Sequence, residues 1–198
     1  MGLGNIKEKK LLYHLTKLSN IDSIIEKGLT PRKLIKNHEI LFQDVADPDI
    51  ISKRTVLDLQ EFVPFHFHPY SAFDTAVKSK YSEEEFVYIC IHREKARYNK
   101  FKILLKHPLT TEQPKLYDYD EGFELIDWDT MHTMGNETDY KKHVKMAECL
   151  TSKVIPAKHF QCIYVKNDNT KQLVEEKLQV HKISARPPYV NIGEWFDT

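Results

Sequence analysis

An irregular mixture of short strand-like and helix-like segments constrains the fold of this chain more than any other feature of its sequence. Runs rich in β-branched and aromatic residues predict strands at 11–16, 62–68, 86–92, 101–105, 149–151, 160–165 and 179–182. Helix-like patterns lie between them, at 19–28, 47–54, 71–80, 139–147 and 173–178. Because βαβ units do not alternate regularly, we expect an α+β fold rather than a doubly wound sheet.

Single residues refine this prediction. Ser19 is a candidate cap for the first helix, and Gly28 stands where a residue in the αL conformation is expected to end it, before Pro31. Pro64 has no backbone N–H, which favours an edge or bulged position for its strand. The stretch 117–135 is predicted to be a loop that leads into a helix pinned by Trp128.

The length of 198 residues indicates one domain, spanning residues 1–198. The 29 basic and 29 acidic side chains balance, so any nucleic-acid contact must be a local patch. Cys90, Cys149 and Cys162 lie in apolar runs and are expected to be reduced core residues. No stretch approaches the roughly 18 apolar residues that span a bilayer, so we expect a cytoplasmic protein without membrane contact.

The ten histidines and six glycines limit which cofactors the chain can bind. His66 and His68 would share one face of a strand, but no Cys, Asp or Glu lies nearby at ligand spacing, so we expect no metal. The chain has neither a GxGxxG motif nor a P-loop. A bound nucleotide must therefore be held by another architecture.

Four short motifs carry the candidate chemistry. They are YHLT at 13–16, a helix ending at Arg54, FVPFHF at 62–67, and Ala147-Glu148 among apolar residues. Each motif is weak alone. On pattern alone, Glu148 is most simply a carboxylate on a helix surface.

In this order and spacing the motifs resemble the DarT family of toxins, which transfer ADP-ribose from NAD+ to bases in single-stranded DNA. The resemblance runs from about Leu11 to about Val165. It implies an ADP-ribosyltransferase fold, with a split, mostly antiparallel sheet and short flanking helices. It also implies NAD+ as a consumed co-substrate, single-stranded DNA as the acceptor, and an antitoxin partner that removes ADP-ribose.

The resemblance also implies roles for particular residues. Glu148 matches the family's catalytic glutamate, Arg54 its functional arginine, and YHLT its nicotinamide-binding start. The residues implied for NAD+ are His14, Leu15, Thr16, Ser23, Pro31, Arg54, Phe65, His66 and Phe67. Those implied for nucleic acid are Tyr70, Ser71, His107 and Thr110.

Two segments depart from the family pattern. The chain has Pro-Tyr-Ser-Ala-Phe at 69–73 where the family reads Pro-Arg-Ser-Pro-Met, which removes a positive charge beside the cleft. The segment 107–111 replaces a turn that frequently contains Thr-Asp. Both departures leave the NAD+ chemistry intact and leave the modified base undetermined.

The chemistry explains why an acidic and a basic residue are needed. Cleaving the bond to nicotinamide develops positive charge on the ribose, which a carboxylate at Glu148 stabilises. Arg54 suits phosphate oxygens, and because arginine is almost always protonated, positioning ranks above base catalysis, although the resemblance implies a direct part in the reaction. The alternatives are transfer to RNA or protein, plain NAD+ hydrolysis, and an inactive binding module of the same fold.

Overall fold

The computed structural model describes residues 4–37, 40, 42–46, 48–69, 71–108, 115–133, 135, 137–183 and 186–197. These residues form one sheet of eight strands. The strands are β1 (Leu11–Lys17), β2 (Val63–His66), β3 (Phe86–His92), β4 (Lys102–Leu104), β5 (Leu116–Asp118), β6 (Glu148–Thr151), β7 (Cys162–Val165) and β8 (Tyr189–Ile192). Their order is β5-β4-β6-β2-β1-β3-β7-β8; β7 and β8 are parallel and the other neighbours antiparallel.

Short helices connect the strands. In the described part of the chain they are α1 (Ile21–Lys27), α2 (Arg32–Asn37), α3 (Pro48–Val56), α4 (Ala72–Lys80), α5 (Arg93–Tyr98), α6 (Tyr119–Leu125), α7 (Trp128–His132), α8 (Asp139–Lys145) and α9 (Asp168–Val180). Among these residues, no helix has the length and apolar character that crossing a membrane requires. Helices this short are held mainly by packing against the sheet.

Polar residues at helix starts set several boundaries. Ser71 and Asp74 form a capping box at α4: the Ser71 hydroxyl accepts from the Asp74 N–H (3.0 Å), and the Asp74 carboxylate accepts from the Ser71 N–H (3.3 Å). The first helix differs from the prediction. Ser19 lies in a 3-10 turn, Leu18–Asn20, and α1 begins without a side-chain cap, because the side-chain oxygen of Asn20 accepts from the Gln43 N–H instead.

The sheet is split between its two central strands. β1 and β2 pair only where Tyr13 faces His66, whereas β1 and β3 pair along seven positions. Across the gap, His14 Nδ1 donates to the Pro64 carbonyl oxygen at 2.8 Å. Because the nitrogen and carbonyl of one residue point to the same side of a strand, the Pro64 nitrogen also faces the gap, where no ladder N–H is needed. Pro64 thus lies in an interior strand, so the predicted edge position is wrong.

Apolar side chains cover both faces of the sheet. Alternation along β1 places Leu12 in the larger core cluster and Tyr13 in a second cluster on the opposite face. The three cysteines are buried and free, as predicted.

Two further stretches differ from the prediction. Most of β5 and all of α6 stand where a loop was predicted after residue 117, whereas the helix expected after that loop is confirmed as α7, which begins at the buried Trp128. The strand predicted at 179–182 is the end of α9 and the turn after it, because Val174 and Leu178 continue the buried helical stripe. The last strand is β8, ten residues further along. The other predicted strands are confirmed. The helices predicted at 47–54, 71–80, 139–147 and 173–178 are confirmed as α3, α4, α8 and α9.

Gly28 ends α1 as predicted, but not in the αL conformation: its φ of 88° and ψ of 164° lie in a region that essentially only glycine adopts. A Cβ at this position would lie 2.7 Å from Val154 Cγ1 and 2.9 Å from the Ile155 carbonyl oxygen. We expect Gly28→Ala to lower the free energy of unfolding by about 2 kcal/mol or more. Urea denaturation measures this loss. Gly4→Ala is the control, because its φ is +62° but its Cβ would meet nothing within 4 Å; equal losses in both variants would contradict a packing role for Gly28.

Candidate active site

A cleft opens at the split in the sheet. It contains about 1060 Å³ of space free of atoms, part of it open to solvent. Its walls are mostly apolar and come from β1, β2, the start of β6 and helices α1 to α4. The charged and histidine side chains that line it are His14, Arg32, Asp44, Arg54, His66, His107 and Glu148. A largely apolar cleft with a few polar groups is the usual form of a small-molecule site.

Arg54 and Glu148 form a buried ion pair in this cleft. One guanidinium nitrogen of Arg54, Nη1, donates to both carboxylate oxygens of Glu148, at 2.7 and 2.9 Å. The two residues are only 7% and 3% exposed. Burial raises the pKa of Glu148, but the charge of the Arg54 guanidinium leads the opposing effects, the hydrogen bonds from Arg54 add to it, and the net pKa lies below its ordinary value. Glu148 is therefore an anion at neutral pH.

The second terminal nitrogen of Arg54, Nη2, is buried and has no hydrogen-bond partner among the described residues. An unsatisfied buried donor costs about 1–3 kcal/mol, and more when it is charged. Such a donor on a residue that lines the cleft is available to hydrogen-bond an anionic group.

The local sequence explains how these two side chains meet. Arg54 lies in the last turn of α3, where a cation interacts favourably with the helix dipole. Glu148 is the first residue of β6, an interior strand on which it faces His66 of β2 and Leu104 of β4. The sequence pattern predicts Glu148 either at the end of the preceding helix or on the strand that follows. It lies on the strand, so the interpretation as a carboxylate on a helix surface is wrong.

His14 is fixed in one tautomer. Its Nδ1 donates to the Pro64 carbonyl, so its Nε2 carries a lone pair and can only accept. Burial lowers the pKa of His14 to about 4, although the hydrogen bond to Pro64 acts in the opposite direction. At neutral pH the ring is uncharged.

Two more histidines border the carboxylate. Burial lowers the pKa of His107 to about 4, and its ring stacks on His143 with centroids 6.3 Å apart. His66 is 6% exposed and faces Glu148 directly across the ladder. Its Nδ1 is buried without a hydrogen-bond partner in the described part of the chain.

Residues 42–46 close one side of the cleft, a contribution that the sequence did not predict. The side chain of Asn20 holds this segment through two hydrogen bonds to the backbone of Gln43. Its Nδ2 donates to the Gln43 carbonyl oxygen (2.8 Å), and its Oδ1 accepts from the Gln43 N–H (2.7 Å). Arg32 donates to Asp44 at 2.6 Å. These contacts join residues 12 to 23 positions apart, so no local pattern marks them.

The structure brings together part of the predicted site. The predicted residues that line the cleft are His14, Leu15, Ser23, Arg54, His66, His107 and Glu148. Those buried outside its lining are Thr16, Pro31, Phe65, Phe67 and Ser71. Tyr70 and Thr110 lie outside the described residues.

Phe65 and Phe67 belong to the main core and do not line the cleft as His66 does, although the Phe65 ring packs against the ring of His14, with centroids 5.7 Å apart. Successive residues of a strand point to opposite faces, so the neighbours of His66 on β2 face away from it. Thr16 is buried too, and its hydroxyl accepts from the Asn20 amide at 3.1 Å. Thr16 thus supports the residue that holds the cleft-covering segment.

Within the described ranges, no group of three or more His, Cys, Asp or Glu side chains is arranged to hold a metal ion. The charged groups of the cleft are two arginine–carboxylate pairs, Arg54 with Glu148 and Arg32 with Asp44. Such pairs bind polar and anionic ligands through hydrogen bonds rather than by coordination.

Comparison with known protein families identifies the family to which the chain belongs. The family model described as "ssDNA thymidine ADP-ribosyltransferase, DarT" matches residues 13–197, and the chain therefore belongs to the DarT family. No curated protein sequence matches it.

Three solved structures show how far the likeness in fold extends. Thermus sp. 2.9 DarT in complex with ADP-ribosylated ssDNA has a TM-score of 0.79 at 19% identity, covering 96% of both chains. The same protein in complex with NAD+ has a TM-score of 0.75 at 18% identity, covering 96% of this chain and 98% of the other. Thermosipho africanus DarTG in complex with ADP-ribose has a TM-score of 0.73 at 20% identity, covering 94% of this chain and 50% of that one. At these identities the matches establish the fold.

Arg54→Met leaves Glu148 buried without its partner. Removing one member of a buried ion pair costs about 3–5 kcal/mol, and we expect a loss of this size in the free energy of unfolding at pH 7. In the native protein the lowered pKa of Glu148 contributes stability that is lost only as the pH falls through the folded value. In the variant, burial raises this pKa instead, so protonation relieves the penalty and the loss shrinks between pH 7 and pH 5.

Urea denaturation of both proteins at the two pH values tests this expectation. Arg97→Met is the matched control, because Arg97 forms an exposed ion pair with Asp120 and its removal should change stability little at either pH. A loss for Arg54→Met that is as small as the control's, or that does not change with pH, would contradict the assignment.

Proposed function

We propose that this chain splits NAD+ and transfers its ADP-ribose to a thymidine base in single-stranded DNA, with Glu148 and Arg54 as the residues on which the reaction depends. The observation that carries the proposal is the buried Arg54–Glu148 pair in a cleft at the split of the sheet. Membership of the DarT family across residues 13–197 supplies the reaction class and the acceptor.

Glu148 is suited to stabilise the positive charge that develops on the ribose. As the bond from the anomeric carbon to nicotinamide breaks, the sugar becomes an oxocarbenium-like cation. A carboxylate that is already ionised and held in place interacts more strongly with this cation than with the neutral ground state, and only such differential binding accelerates the reaction. The lowered pKa of Glu148 keeps it in the required form.

Arg54 is suited to hold the diphosphate of NAD+. Its Nη1 is engaged by Glu148, while its buried Nη2 has no partner within the described residues. A phosphate oxygen would satisfy this donor, and one guanidinium would then join the phosphates to the carboxylate. In this arrangement the reacting ribose is held at its phosphate end by Arg54 and at its cationic centre by Glu148.

His14 is suited to recognise the leaving-group end of NAD+. Its Nε2 is an acceptor, because Nδ1 donates to Pro64 and the ring is uncharged at neutral pH. A neutral ring can accept from a carboxamide or a ribose hydroxyl without repelling the positive nicotinamide ring. We assign His14 this binding role, together with Leu15 and Ser23 from the cleft wall.

The acceptor base must reach a buried carboxylate, which a paired base in a duplex cannot do without leaving the helix. Single strands are therefore the preferred substrate. With no excess of basic residues over acidic ones, we expect modest, locally mediated DNA affinity. We also propose a toxin role in the cytoplasm, countered by an antitoxin that removes ADP-ribose. The likeness to one half of Thermosipho africanus DarTG supports this pairing.

Glu148→Gln keeps the size of the side chain but removes its charge. We expect this variant to fold and to bind NAD+, yet to lose NAD+-dependent labelling of a thymidine-containing oligonucleotide by at least about 100-fold. Labelled NAD+ supplied with single-stranded DNA, duplex DNA, RNA or lysate protein identifies the acceptor, and free ADP-ribose without an acceptor identifies hydrolysis.

Glu121→Gln is the control, because Glu121 is exposed on α6 and lies outside the cleft lining. Full labelling by Glu148→Gln would refute the role of Glu148. Labelling of RNA or protein in preference to single-stranded DNA would refute the proposed acceptor.

A further inference from the structure

Arg93 is a buried cation with no part in the roles proposed so far. It is the first residue of α5, directly after β3, and is 6% exposed. Its guanidinium donates to four backbone carbonyl oxygens: Nε to Leu11 (3.1 Å), Nη1 to Ile6 (2.9 Å) and Lys7 (3.0 Å), and Nη2 to Phe67 (2.9 Å). A carbonyl oxygen carries no net charge to offset the guanidinium, so the geometry of these contacts is their distinctive property.

The four carbonyls lie on both sides of the split in the sheet. The strand order divides the sheet into a first half, β8-β7-β3-β1, and a second half, β2-β6-β4-β5. Leu11 begins β1 in the first half, whereas Phe67 directly follows β2 in the second. One guanidinium therefore joins the two halves beside the pairing of Tyr13 with His66. We call these hydrogen bonds to Leu11 and Phe67 the Arg93 bridge.

A guanidinium is suited to this bridge. Its donors lie in one rigid plane, so acceptors on two strands are held at a fixed separation. The rings of Phe67 and Trp128 pack against it, with their centroids 5.1 and 5.8 Å from the central carbon, and favour its positive charge. A lysine has three donors on a single nitrogen and could not reach all four carbonyls in this way.

We propose that Arg93 is a positioning residue for the transfer reaction, because the Arg93 bridge sets the distance between His14 on β1 and Glu148 on β6. This inference rests on the proposed function. Phe67 follows His66, which faces Glu148 in the β2–β6 ladder, so a shift of Phe67 moves the carboxylate as well. In the proposed reaction His14 and Glu148 act at opposite ends of the bond that breaks, where a displacement of about 1 Å can cost about 100-fold in rate.

Two substitutions test this role. Arg93→Lys keeps the charge but loses the planar fork, and Arg93→Ala loses both. We expect each to lower kcat for transfer to thymidine DNA by about 100-fold or more per folded molecule, and to weaken NAD+ binding by about tenfold at most, because misplacement penalises the transition state more than the bound substrate. Far-UV circular dichroism gives the folded fraction, and calorimetry gives the NAD+ affinity.

Leu178→Ala is the destabilised control. Leu178 is buried on α9, which packs beside β8 at the far edge of the first half. Its truncation should lower stability without changing the split, so kcat per folded molecule should stay close to that of wild type. A merely structural Arg93 would behave in the same way, because it would change the folded fraction and not the rate of the folded molecules.

Chemical rescue separates the fork from the charge. Arg93 lines a second hollow, which contains about 1020 Å³ of space free of atoms, part of it open to solvent. A guanidinium ion can therefore enter Arg93→Ala and donate to the same carbonyls. We expect millimolar guanidinium chloride to raise kcat of this variant about tenfold or more. Methylammonium chloride, which carries the charge without the fork, should not, and wild type should respond to neither salt.

Unchanged kcat per folded molecule in both Arg93 variants, or a loss no greater than that of Leu178→Ala, would overturn the inference. A loss that guanidinium relieves no more than methylammonium does would also overturn it. If Arg93→Ala does not fold, the kcat of Arg93→Lys decides alone. Absence of transfer by the wild-type protein, assayed in parallel, would instead refute the proposed function.

Discussion

The buried ion pair between Arg54 and Glu148 is the interaction on which the rest of the site depends. Withdrawing two charges from water costs several kcal/mol for each ion, so such a pair is a poor source of stability. Here the ion pair instead fixes the charge of the carboxylate and the position of α3. Arg54 keeps the carboxylate ionised despite burial and ties α3, which follows the cleft-covering segment, to the interior strand β6. The same pair therefore sets the charge of the site and the position of one wall of the cleft.

The split in the sheet gives this pair its access to a ligand. β1 and β2 would close the gap between them if they paired along their full length, as β1 does with β3. Pro64 contributes no N–H toward β1, and the His14 side chain takes the carbonyl that a ladder would otherwise use. One proline and one histidine thus keep two central strands apart, and the side chains at the split line the cleft.

The sequence predicted those features that short-range patterns encode. β1 and β3 were evident from their β-branched and aromatic runs, and Gly28 from the backbone conformation that a helix end demands. The prediction assigned too many residues of the segment 62–67 to the cleft. A strand presents alternate residues to one face, so the run FVPFHF could place His66 in the cleft only by turning Phe65 and Phe67 into the core.

The covering segment 42–46 could not be predicted in this way. Its position depends on Asn20 and Arg32, which lie 12 to 23 residues earlier and contact it only in the folded chain. Its polar, irregular composition is typical of a loop and carries no signal that the loop closes a cleft.

The two terminal nitrogens of the Arg54 guanidinium have different roles in the proposed reaction. Nη1 donates to both oxygens of Glu148, while Nη2 lacks a partner among the described residues. In the proposed reaction a phosphate at Nη2 shares the positive charge and weakens the hold on Glu148. The carboxylate then becomes a stronger acceptor as cationic charge appears on the ribose.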